Sequence, residues 1–331
     1  MTDTATQFPR SSGRSQWIEW TRVLGCAGIV WFHAGAPFRT VALGGLIAFT
    51  IMGCAFIKPV ATTGELRSAI WSRAQRLLGP WLIWSVVYGA LRVAEAIRQH
   101  EGPFSWWDDR MVLYGTWIHL WFLPFLFLAT VVVLALGLVD REKRFGAVNI
   151  FAWVLIGLTP LWVWLEQWGA GKPFDQWISV LPAVGLGVLM RGAMPGSTDA
   201  RRRAFTLLIV DAIVIGATLA LFPDRGASVV KHVVGGLAVL AWAPAATASR
   251  LALALGALSM GVYLIHPLLL TIGERVLGMP TSSAITAAGA IVASFAASAL
   301  LGWGGRWGMQ VVNGILHPPK TPPAGRQELS A

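Results

Sequence analysis

Arg22 and His33 stand eleven residues apart in an otherwise apolar stretch of the chain. At 100° per residue, eleven steps overshoot three helical turns by about 20°, so both side chains project from one helix face, about 16 Å apart. A cation and an imidazole so placed can line one path across most of a bilayer. Equally, Arg22 can snorkel to headgroups while His33 bonds a neighbouring helix. Arg73 and Arg76, at i and i+3, form a forked donor pair suited to phosphate, or else a positive anchor at the membrane face. His119 sits in the segment Trp117-Ile118-His119-Leu120-Trp121-Phe122-Leu123-Pro124. Ser259, Tyr263 and His266, at i, i+4 and i+7, make one polar stripe on an apolar helix, available for chemistry or as glue between helices. Trp106-Trp107-Asp108-Asp109 sets flat aromatics beside carboxylates, which suits stacking on a sugar, or an amphipathic loop lying in the interface. Asp211 is a carboxylate inside another apolar run, a candidate partner for one of these histidines or arginines. The spacing of His33, His119 and His266 matches no known metal site, and no metal is expected.

The elements that must position these groups follow from composition. The chain has 331 residues, 55% apolar and 13% charged, with a mean hydropathy of +0.62. Soluble domains carry about 25% charged residues, so this chain cannot cover a water-facing surface of its size. Cys26 and Cys54 make no disulfide framework. Apolar runs long enough for helices crossing a hydrocarbon core of about 30 Å recur at 18–38, 41–57, 77–97, 117–139, 149–165, 177–190, 204–222, 231–247, 252–272 and 282–302. An all-α polytopic membrane protein with about ten transmembrane helices is expected, since the runs are continuous rather than alternating as in a barrel.

With the N-terminus in the cytoplasm, 17 of the 26 Lys and Arg fall on the inside and seven outside, with Arg22 and Arg92 within spans. Both termini are therefore expected in the cytoplasm. The net charge of +10 is mainly topological, and no nucleic-acid partner is expected. Ala34-Gly35-Ala36 imitates a signal-peptide cleavage site, but Pro37 follows directly, so the first run is expected to be retained as a span.

The order of these segments carries a resemblance. An Arg-x10-His first span (Arg22, His33), an Arg-x-x-Arg before a proline (Arg73, Arg76), a His-x-Trp-Phe-Leu-Pro segment (His119, Trp121) and a late Leu-Ser-x-Gly-x-Tyr-Leu-Ile-His-Pro (Tyr263, His266) succeed one another over residues 18 to 272. In this the chain resembles the acyltransferase-3 family of bacterial integral-membrane acyltransferases, sugar O-acetylases among them. The resemblance implies a transmembrane acyltransferase domain over 16–302, between cytoplasmic tails at 1–15 and 303–331, in the bacterial inner membrane.

It further implies an acyl-CoA donor, acetyl-CoA by preference, and a hydroxyl acceptor on a cell-envelope carbohydrate or glycolipid, with no tightly bound cofactor. Arg22 and His33 take the family's residues needed for activity. The imidazole is either general base on the acceptor hydroxyl or transient acyl carrier. Arg73 and Arg76, with Arg22, would hold the CoA phosphates. His119, Trp121, Tyr263, His266, Trp106 and Trp107 are acceptor-side candidates. Some relatives add an extracytoplasmic domain after the spans; the length of this chain leads one to expect none here, so that it would act alone or hand over to a separate extracytoplasmic protein. The competing readings are a transporter or flippase for a glycan or small solute, which the absence of internal repeats disfavours, and transfer to a small-molecule acceptor.

Overall fold

The computed structural model describes residues 14–143, 146–280 and 282–316, with side chains for 14–140, 146–280 and 282–303. Arg10, Arg144, Lys320 and Arg326, counted in the charge bias, lie outside them, as does most of both expected tails. The helices are α1 (Gln16–His33), α2 (Arg39–Ala42), α3 (Gly44–Ala55), α4 (Thr63–Arg98), α5 (Met111–Tyr114), α6 (Phe122–Lys143), α7 (Ala147–Gly157), α8 (Thr159–Leu165), α9 (Phe174–Ile178), α10 (Leu181–Leu189), α11 (Thr198–Leu221), α12 (Gly226–Gly236), α13 (Arg250–Arg275) and α14 (Ala284–Leu316). Among the described residues there is no strand beyond one isolated bridge, Ser15 to Thr247. The protein is an all-α membrane protein.

Five of the ten expected runs are single helices long and apolar enough to cross a bilayer: Thr63–Arg98, Ile118–Asp140, Thr198–Leu221, Arg250–Arg275 and Ala284–Trp303. A sixth, expected at 149–165, is a pair, α7 and α8, bent by 57° at Leu158; Pro160 in the second position of α8 has no N–H to continue the ladder from α7. The rest are shorter. The run at 41–57 becomes α2 and α3, 177–190 becomes α9 and α10, and 231–247 divides between α12 and a 3₁₀ turn, Leu237–Trp242. The first run forms α1, which carries Glu19, Arg22 and His33 and ends at His33 rather than residue 38. The last helix passes the expected boundary at 302 and reaches Leu316.

Short apolar helices persist because they pack on one another. The α1 helix lies against α2, α3, α13 and α14, and α3 touches α1, α6, α10 and α12. Glycines permit the close crossings. A Cβ on Gly45 would overlap the Gly25 carbonyl oxygen and stand 2.8 Å from Gly25 Cα, and one on Gly28 would meet the Ala42 carbonyl oxygen at 2.5 Å. Small residues that let backbones touch are the usual device between helices in lipid, where apolar side chains gain nothing by leaving the surroundings. The buried Cys26 thiol donates to the Ser259 carbonyl at 3.3 Å, fastening α1 to α13.

Candidate active site

A cavity of about 560 Å³ opens beside α1, within the range of small-molecule sites. One end carries Arg14, Glu19, Arg22, Arg73 and Arg76; the other is lined by Ile29, Phe122, Leu123, Leu126 and Tyr263. Four guanidinium groups against one carboxylate leave the first end strongly positive, while the deep end is apolar with one phenol. Such a space suits a long ligand with an anionic head and a neutral tail.

Arg22 and His33 keep the shared face that their spacing predicts. Arg22 Nη1 donates to Glu19 Oε2 at 3.0 Å and Oε1 at 3.4 Å, and Arg14 reaches the same carboxylate at 3.7 Å. Glu19 is 3% exposed, and a Cβ on Gly256 of α13 would overlap its carboxylate. Gly256 thus makes the room in which Glu19 holds Arg22. Glu19 stands at i,i+3 to Arg22 in the sequence, but an acidic residue in a helix's first turn is ordinarily ascribed to the helix dipole and so does not stand out as a site residue. Arg76 is braced against Ser72 of its own helix, Nε to the carbonyl at 3.2 Å and Nη2 to Oγ at 3.1 Å.

His33 is exposed, one turn beyond the cavity-lining Ile29. Its ring centre lies 5.0 Å from that of His266, which in turn lies 5.4 Å from His119. Three histidines distant in sequence are thus brought together behind Tyr263. Among the described residues no group of three or more His, Cys, Asp or Glu is arranged to hold a metal ion. Among the described residues, both ring nitrogens of His119 and Nε2 of His266 are buried without a hydrogen-bond partner.

The Tyr-Leu-Ile-His-Pro segment has a local explanation. Pro267 lies inside α13 and lacks the N–H that would bond the Tyr263 carbonyl one turn back. His266 Nδ1 takes its place, 2.8 Å from that oxygen. A carbonyl only accepts, so Nδ1 is the donor and Nε2 keeps the lone pair of the neutral ring. The Tyr263 hydroxyl donates to the His119 carbonyl and the Tyr88 hydroxyl to the Leu264 carbonyl at 2.7 Å, so α4, α13 and the approach to α6 are locked around the cluster.

His119 sits on a 3₁₀ turn, Ile118–Trp121, leading into α6. The bend before it requires Gly115, at φ +78°, where a Cβ would stand 2.7 Å from Ser85 Oγ, 2.9 Å from Leu120 Cδ1 and 3.0 Å from Trp81 Nε1. Gly115→Ala is expected to destabilise the protein by about 1–3 kcal/mol, measured by thermal unfolding in detergent, with loss of activity as His119 is displaced.

Other expected residues stand apart from the cavity. Trp121, 7% exposed, is in the core against Phe122 and Phe125. Trp107 is half exposed and bonds Asp109 Oδ1 at 3.2 Å. Asp108 is occupied by the Tyr114 hydroxyl at 3.1 Å and the Arg110 amide at 2.9 Å, so it fixes its own loop. Burial, and then the hydrogen bond to Asp108, raises the pKa of Tyr114. Asp211 lies against Gly236 and bonds none of the described histidines or arginines. Ser259, by contrast, lines the cavity, and its Oγ donates to the Gly256 carbonyl at 2.8 Å within its own helix.

A family model for the acyltransferase-3 family, described as an acyltransferase domain, matches residues 15–303. No curated protein and no solved structure matches the chain.

Proposed function

Because the chain belongs to the acyltransferase-3 family, we propose that it moves an acyl group, acetyl by preference, from acyl-CoA to a hydroxyl of a cell-envelope carbohydrate. The observation that carries this reading is the single cavity joining Arg22, Arg73 and Arg76 at one end to Ile29 and Tyr263 at the other. In this reading the arginine end faces the cytoplasm, as the Lys and Arg bias favours, in the inner membrane of a bacterium. The CoA phosphates bind the forked guanidinium groups, and the pantetheine arm runs along α1 with its thioester directed toward His33.

His33 then acts as general base. Its imidazole removes the acceptor's hydroxyl proton while the oxygen attacks the thioester carbonyl; the new C–O bond forms, the C–S bond breaks, and the thiolate takes a proton to leave as CoA thiol. The contact with His266, whose Nε2 holds a free lone pair, favours the base over the acyl carrier, because a second imidazole can accept the proton from the first. Arg22, held by Glu19, supplies fixed positive charge along the donor path.

The test is turnover of labelled acetyl-CoA by purified protein in nanodiscs. A transferase consumes the thioester and leaves an ester on the sugar; a carrier returns its substrate unchanged. The double variant Arg73→Ala, Arg76→Ala is expected to raise KM for acetyl-CoA about 10–100-fold, each of the two contacts being worth about 0.7–1.4 kcal/mol net, while KM for the acceptor changes little. Equal losses for both substrates would remove the phosphate site from this end of the cavity.

A further inference from the structure

Arg92 is unlike the other cations near its end of α4. Arg98 and Arg275 share the Glu95 carboxylate, at 2.6 and 3.2 Å. Among the described residues no carboxylate pairs with Arg92. Its guanidinium carbon lies instead 5.1 Å from the ring centre of Trp117 and 5.6 Å from that of Trp106. Nε is enclosed without an acceptor among the described residues, and the side chain as a whole is half-buried. Indole faces attract a cation through their quadrupole but accept no bonds in the plane of its N–H fork. A half-buried cation held by rings keeps both its charge and its donors for something else.

The surrounding loop is built rather than loose. Trp106 Nε1 donates to the Pro103 carbonyl at 2.9 Å, and Asp108 ties Tyr114 and the Arg110 amide into the same loop. From Trp117 a row of ring contacts leads inward: Tyr88 at 5.2 Å, His119 at 5.2 Å from Tyr88, then His266 and His33. Arg92 is one turn of α4 beyond Tyr88, about 6 Å along the axis. The row approaches the histidines from the side away from the arginine-lined cavity.

We infer that Arg92, Trp106 and Trp117 bind the acceptor through an anionic group, a carboxylate or phosphate ester on the sugar. The guanidinium fork matches two anion oxygens, and the indoles offer flat faces for the apolar side of the ring. A neutral sugar would leave the charge without a counterpart. The inference rests on the acyl-transfer reading for the identity of the ligand as acceptor, but binding can be measured without catalysis.

The experiment is calorimetric titration of the protein in phosphatidylcholine nanodiscs with D-glucuronate, glucose 1-phosphate and methyl glucoside. The two anionic probes are expected to bind and the neutral one not, at equal concentration. Arg92→Gln should weaken the anions at least about tenfold and Trp106→Ala should weaken them less. Arg92→Lys retains the charge without the fork and should fall between, which keeps the test open if the Gln variant fails to fold. Equal binding of all three probes, or anion binding undiminished in Arg92→Gln and Arg92→Lys, would overturn the inference. So would anion binding that vanishes in phosphatidylglycerol nanodiscs, which would assign the site to a lipid headgroup. Acetyl transfer by the parent with no anion preference would remove this inference and leave the acyl-transfer reading; anion binding with no acetyl transfer to any sugar would remove that reading and leave an anion site whose ligand is not an acyl acceptor.

Discussion

Protein carrying His33→Ala is expected to insert and unfold like the parent while transferring acyl groups about 10²–10⁴-fold more slowly, the range for loss of a general base. The fold should tolerate the change because the His33 side chain is exposed at the end of α1 and its described contacts are ring contacts with Phe32 and His266. The donor's arginines are untouched, so KM for acetyl-CoA should move little while kcat falls, the pattern of an interaction made in the transition state. His33→Gln keeps much of the size but no basic nitrogen and should fall equally far. Rapid quenching with labelled acetyl-CoA distinguishes the two roles of the imidazole. A base leaves no label on the parent protein, whereas an acyl carrier leaves label that His33→Ala loses. A rate within about twofold of the parent in folded His33→Ala protein would take the chemistry away from His33.

The second large effect is structural. Gly45→Val is expected to destabilise the protein by at least about 1–3 kcal/mol, the cost of overpacking, and to abolish activity with it. A Cβ at Gly45 meets the Gly25 carbonyl oxygen, carbon and Cα, and backbone cannot swing aside as a side-chain tip can. To relieve the overlap α1 must move off α3, and α1 carries Glu19, Arg22 and His33 together. Gly216→Ala in α11 is the control, since nothing lies within 4 Å of its Cβ position; the helix should be unchanged or slightly more stable. Thermal unfolding in detergent reads both. Equal stability of Gly45→Val and the parent would mean that α1 and α3 do not cross in backbone contact at Gly25 and Gly45.

What was legible in the sequence was periodicity and order. The eleven-residue spacing gives Arg22 and His33 one face whatever surrounds them, and five long apolar runs are long helices because a bilayer-length run has few other ways to satisfy its backbone. The succession of motifs identified the family. The short and broken helices were not legible, since apolar residues at 231–247 are equally compatible with one span and with α12 followed by a 3₁₀ turn. Contacts between distant residues were hidden too. Nothing near Arg92 announces that the chain will bring both Trp106 and Trp117 against its guanidinium. Trp121 shares its motif with His119 yet packs into the core, because successive residues of a 3₁₀ turn point in different directions. Glu19 was hidden differently: its pairing with Arg22 was open to view, but its burial depends on the space left by Gly256, 237 positions later in the chain.

The central claim, acyl transfer to an envelope sugar through His33, is tested most directly by the O-acyl ester content of envelope glycans, read by NMR in three strains. One lacks the gene, one has it restored, and one carries His33→Ala with membrane insertion verified. Ester is expected only with the restored parent, and the same spectrum then names the modified sugar. Identical spectra from all three strains would contradict the claim.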